Sequence, residues 1–129
     1  MVSDEERKEI EAEFLESWDG IQQSYSGEIF TIRWIWIRNI LPLIKIFRER
    51  GYDRQFRAGT SMATLMISRS REYGLRRDQP FLAFDMLEDG GMRVTFTIQN
   101  GSVILNVDRI EITPEIENLL IPLLAYPID

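Results

Sequence analysis

The chain has no cysteine and no histidine in its 129 residues, and its only lysines are Lys8 and Lys45. Without cysteine there is no disulfide, no thiolate nucleophile and no thiolate metal site. Without histidine the chain lacks the commonest general base, the commonest transition-metal ligand and the side chain that ordinarily titrates near neutrality. Ser61, Ser68 and Ser70 therefore have no neighbouring base to activate them. A long apolar run is also missing. The most apolar window, 29–47, is broken by Arg33, Arg38, Asn39, Pro42 and Lys45 and fails as a membrane span. The first residues, MVSDEERKEIEAEF, are acidic where a secretory or transit peptide is basic and apolar. No GxxxxGK[ST], GxGxxG or DxDxDG-type loop occurs. These absences point to a soluble, cytoplasmic protein with no membrane partner, no cofactor and no metal site, more an interaction module than an enzyme.

What is present suits one domain of α+β class. Apolar residues make up 44% and charged residues 28% of the chain, and seven Phe with three Trp supply enough apolar bulk for a core. The net charge of −6 conceals a division. Residues 1–28 carry nine acids against two bases, residues 29–78 eleven bases against four acids, and residues 79–129 eight acids against two bases. Acidic flanks around a basic middle argue against tight non-specific nucleic-acid binding. The first reading of the middle is internal neutralisation by the flanks; the second is a local site for an anion or an acidic partner.

Helices are expected over 4–19, 39–50, 61–73 and 114–121 or beyond. Ser3 and Glu6 form a capping box, and Ile10, Phe14, Trp18 and Ile21 an apolar stripe, with a continuation of the first helix to about Tyr25 open. Gly51 closes the second helix after the basic turn of Arg48 and Arg50. Thr60 or Ser61 would cap the third, with Met62, Leu65, Met66, Arg69 and Tyr73 on one face. Thr113-Pro114 opens the last, which Pro122 must kink or end.

From Pro80 the apolar period becomes two, which predicts a three-stranded antiparallel meander over 80–88, 92–99 and 102–110. Asn100-Gly101 reads as a two-residue turn that pairs Phe96 with Leu105 and sets Arg93 opposite Asp108. A three-residue loop, Asp89-Gly90-Gly91, would pair Phe84 with Phe96 and leave Gly91 left-handed. The stretch 28–37, EIFTIRWIWI, is β-branched and aromatic and reads as a fourth strand, with a helix running into the next segment as the alternative.

Two functional expectations follow. One is a non-catalytic interaction or adaptor module that self-associates as a homodimer, with Trp34, Ile35 and Trp36 at the interface. The other is a small anionic-ligand binder, or an enzyme for an anionic substrate, using Arg54, Arg57, Thr60 and Ser61 at a helix start together with Arg76 and Arg77. Arg69, on an apolar face, requires a carboxylate or carbonyl partner, with Asp85 and Glu72 as candidates. Of the carboxylates on or beside the sheet, Asp89 is explained by its turn and Asp108 by Arg93, which leaves no evident pair for acid–base work.

Overall fold

A computed structural model of the chain describes residues 3–26, 32–61, 63–70, 79–98, 101–126 and 128. The first helix, α1 (Asp4–Ser26), starts as its capping box requires: the Glu6 N–H donates to Ser3 Oγ at 3.1 Å. Its inward stripe is Ile10, Phe14, Trp18 and Tyr25, all buried. A 3₁₀ segment, Ile32–Asn39, leads directly into α2 (Ile40–Glu49), which buries Ile40, Leu43, Ile44 and Phe47 completely. Gly51 (φ +80°) ends α2, and its N–H donates to the Arg48 carbonyl at 3.1 Å. A 3₁₀ turn at Tyr52–Arg54 then delivers the chain to the sheet.

The sheet is a five-stranded antiparallel meander in simple sequence order: β1 (Arg57–Ser61), β2 (Thr64–Ser68), β3 (Phe81–Met86), β4 (Met92–Ile98) and β5 (Gly101–Val107). One face buries Ala58, Leu65, Ile67, Leu82, Phe84, Met86, Met92, Val94 and Phe96 in the core. The other carries Thr64, Met66, Ala83, Asp85, Arg93, Thr95 and Ile104, all exposed or half-buried. The final helix, α3 (Pro114–Leu124), is capped by Thr113, whose Oγ1 accepts from the Ile116 N–H at 3.3 Å. It adds Ile116, Leu120 and Leu123 to the same core.

The core is centred on Phe47. Its ring lies 5.7 Å from Trp18, 5.7 Å from Tyr52 and 5.3 Å from Phe84, so α1, α2, the 3₁₀ turn and the sheet meet around one side chain. Each such aromatic pair adds about 0.5–1.5 kcal/mol beyond area burial. Trp18 is fully buried, and its Nε1–H donates to the Phe56 carbonyl at 2.9 Å, which satisfies its only polar group.

Two expected elements differ. In place of a helix over 61–73 the chain forms a tight hairpin, with Ser61 opposite Thr64 and Thr60 opposite Leu65. Leu65 and Ile67 alternate onto the core face, and pairing with Leu82 and Phe84 of β3 outweighs the helical spacing of Met62, Leu65 and Met66. Residues 71–78, including Arg76, Arg77, Glu72 and Gly74, lie outside the described residues. The strand expected over 28–37 is also replaced: from Ile32 onward the backbone is the 3₁₀ segment, and residues 28–31 lie outside the described ones. Of the β-branched residues in this stretch, Ile37 is buried in the core from the 3₁₀ segment.

The two predicted hairpins form, each two residues out of the expected register. β3 and β4 pair Phe84 with Val94 and Leu82 with Phe96; β4 and β5 pair Phe96 with Val103 and Val94 with Leu105. A shift of two preserves which face each side chain occupies, so the apolar pattern alone does not distinguish the registers. Arg93 consequently stands opposite Asp85 and Asn106, and not opposite Asp108. The left-handed residue of the first hairpin is Gly90 (φ +91°), not Gly91.

Candidate functional site

Among the described residues, some arginines of the basic middle form ion pairs within the chain and others line a cavity. Arg48 binds three acceptors at once: Asp19 at 2.8 Å, Asp53 at 3.1 Å and Gln22 at 2.9 Å. It thereby ties α2 to α1 and to the turn that follows. Arg50 reaches Glu117 of α3 at 2.6 Å, and Lys45 meets Glu49 one helical turn on. Arg57 donates from Nε to the Ser70 carbonyl at 3.1 Å and lies 4.0 Å from Glu13. Acids from both flanks thus pair with Arg48, Arg50 and Arg57.

Arg54 and Arg69 go elsewhere. With Arg7, Ile10 and Glu11 of α1, Gln55 and Ile128, they line a cavity of about 420 Å³. Arg69 is oriented by two main-chain carbonyls: its Nε donates to Tyr126 at 3.1 Å and its Nη1 to Gln55 at 2.8 Å. Burial lowers its pKa from the usual arginine value, and among the described residues it has no carboxylate partner. Asp85, a candidate partner on sequence grounds, instead accepts from Thr64 Oγ1 on the opposite face of the sheet. Arg7 and Arg54 are exposed and form no ion pair within the described residues. Arg7 was not among the sequence candidates, because nothing in α1's pattern shows which helix flank faces the turn at Arg54.

Thr60 and Ser61 are not at a helix start. Both lie in β1, so the helix-terminal N–H groups invoked for an anion do not exist there. Thr60 lines a separate groove with Arg57, Glu13, Glu16 and Ser17. Arg54 and Arg57, near neighbours in sequence, therefore serve different cavities. Trp36 is half-buried and packed against the core, and the side chains of Trp34 and Ile35 lie outside those described.

The two edges of the sheet are treated differently. At β1, the Ala58 N–H points to α1 and donates to Ser17 Oγ at 3.0 Å, while that hydroxyl donates to the Phe14 carbonyl at 2.6 Å. The helix thus packs along this edge and satisfies the Ala58 donor. At β5 the outer side pairs with no described strand. The strand, GSVILNV, has no charge and no proline, and Val103 and Ile104 are 48% and 56% exposed. Edge strands are ordinarily protected by charge, proline, a bulge or a covering helix. Among the described residues, none of these protects Gly101–Val107.

Among the described residues no cluster of three or more acidic side chains converges as metal ligands would, and no helix is long and apolar enough to cross a membrane. Comparisons with protein-family models, with curated proteins and with solved structures returned no match.

Proposed function

We propose that this protein is a non-catalytic interaction module that self-associates by adding strand to strand at β5. The observation that carries the reading is the uncharged edge at Gly101–Val107, which no described element protects, set against β1, where the Ala58 N–H is capped by α1. An open edge of this kind presents main-chain donors and acceptors that a second strand can satisfy.

The strand's own chemistry selects a second copy as partner. In an antiparallel pairing centred on Ile104, Ile104 meets its equivalent, Val103 meets Leu105 and Ser102 meets Asn106. Apolar residues then face apolar ones and polar face polar, each pair contributing roughly 0.2–1 kcal/mol. The contact is isologous and closes as a two-fold dimer, joining two five-stranded sheets into one. A single edge contact is smaller than a standard interface of about 1,600 Å², so an affinity on the order of micromolar is expected.

Ile104→Lys tests the pairing without touching the core, because Ile104 is an exposed residue of the outer face. Sedimentation equilibrium of the full chain should show a monomer–dimer equilibrium that the substitution weakens at least tenfold. A wild-type chain that remains monomeric at several hundred micromolar, or an Ile104→Lys variant that dimerises equally well, rejects the proposal.

A further inference from the structure

The cavity bounded by Arg7, Arg54 and Arg69 has no role in strand pairing, since it lies at the β1 side of the molecule and β5 is at the far edge. Among the described residues its lining charge is three guanidiniums against one carboxylate, Glu11, in a chain whose net charge is −6. Like charges gathered in this way repel unless a counter-charge sits among them. The neighbouring arginines Arg48, Arg50 and Arg57 have one from within the chain.

Three further observations point the same way. Arg69 is half-buried and fixed by the Gln55 and Tyr126 carbonyls, which use two of its five N–H groups and hold the remaining three in place. A guanidinium fixed in this way is pre-organised for a planar or tetrahedral oxyanion, so little rotamer freedom is lost on binding. The cavity volume, about 420 Å³, falls in the range of small-molecule sites, and Ile10 and Ile128 give it an apolar wall. Arg7 and Arg54 come from separate elements, α1 and the 3₁₀ turn, and can close on a ligand from two sides.

We propose that this cavity binds a small oxyanion of at least two negative charges carrying a short apolar body, either a phosphomonoester or a dicarboxylate. Arg69 is the fixed contact, and Arg7 and Arg54 are the mobile ones. No covalent step is involved.

The test is calorimetric titration of the full-length chain with inorganic phosphate and, separately, with succinate, at low ionic strength and with sodium chloride as the control. Saturable one-site binding of either probe is expected, with the stronger of the two identifying the ligand class. The Arg7→Gln/Arg54→Gln double variant should bind at least tenfold more weakly, and Arg93→Gln, on the sheet's outer face, should bind as wild type does. Because Arg7 and Arg54 have no ion pairs within the described residues, the double variant should keep the wild-type circular dichroism. Absence of saturable binding by both probes, or equal affinity in the double variant, overturns the proposal. Repeating the titration on Ile104→Lys separates this site from the strand pairing, since a monomer should bind the probe unchanged.

Discussion

Arg69 donates to the carbonyls of Gln55 and Tyr126, so its removal leaves two acceptors without a partner, a loss of a different kind from breaking an ion pair. Arg69→Met should lower stability by about 1–3 kcal/mol, with Arg69→Lys intermediate, in urea denaturation followed by tryptophan fluorescence. Asp85→Asn should cost less, because Asp85 accepts from Thr64 on the outer face and can do so as an amide. Equal losses for Arg69→Met and Asp85→Asn would show that the carbonyl bonds contribute nothing distinctive. Burial lowers the Arg69 pKa, which means that the folded state binds this proton less tightly than the unfolded state does. Stability from this group therefore rises only as pH climbs through the folded value. Arginine keeps its proton through the neutral range, so Arg69 should contribute no pH dependence there.

At the scale of elements, the β3–β4 hairpin shows how closely two adjacent glycines can differ. The Gly90 N–H donates to the Leu87 carbonyl at 3.1 Å and Leu87 N–H to the Gly91 carbonyl at 3.0 Å, which closes a three-residue loop of Glu88, Asp89 and Gly90. The loop has the expected length but begins one residue earlier, and the strand register therefore moves by two. Asp89 Oδ1 accepts from the Gly91 N–H at 2.9 Å, so the aspartate serves the turn as its position suggests. Gly90 needs a positive φ, whereas Gly91 needs the absence of a side chain: a Cβ there would sit 2.5 Å from the Val107 carbonyl oxygen. Gly90→Ala should lose about 1–2 kcal/mol through left-handed backbone strain. Gly91→Ala forces β5 away from the loop and should lose more, on the order of 3 kcal/mol. Thermal unfolding of both variants orders them, and a Gly90→Ala that is the more damaging would contradict this geometry.

Across the whole molecule, charge and edge protection act in opposite directions on association. Two copies of net charge −6 repel, while the uncharged β5 strands attract by backbone pairing and apolar contact. Raising sodium chloride from about 20 to about 300 mM shortens the Debye length from roughly 20 to 6 Å and should therefore tighten the dimer. Oxyanion binding in the arginine cavity should weaken over the same range, because there the charges attract. Sedimentation and calorimetry at both salt concentrations read these opposed trends; a dimer weakened by salt would mean that ion pairs, and not the β5 edge, hold the copies together.

Local chemistry by itself determined the α+β class, three of the helices with their Ser3, Gly51 and Thr113 caps, and the apolar face of strands β3 to β5. Each rests on contacts within a few residues, where spacing and cap chemistry suffice. Tertiary structure decided the rest. The β1–β2 hairpin has no Asn-Gly or Asp-Gly signal at its turn, and β2 exists because β3 offers Leu82 and Phe84 for Ile67 and Leu65 to pair with. The strand registers were undetermined because a shift of two leaves every side chain on the same face. Of the arginine cavity only Arg54 was among the ligand candidates read from the sequence; Arg69 was read as needing a carboxylate or carbonyl partner, and Arg7 is distant in sequence and joins them through the packing of α1 against the turn at Arg54. The open edge at β5 is likewise a property of strand order: Gly101–Val107 reads the same whether or not another strand lies beside it, and only the sheet shows that its outer side pairs with no described strand.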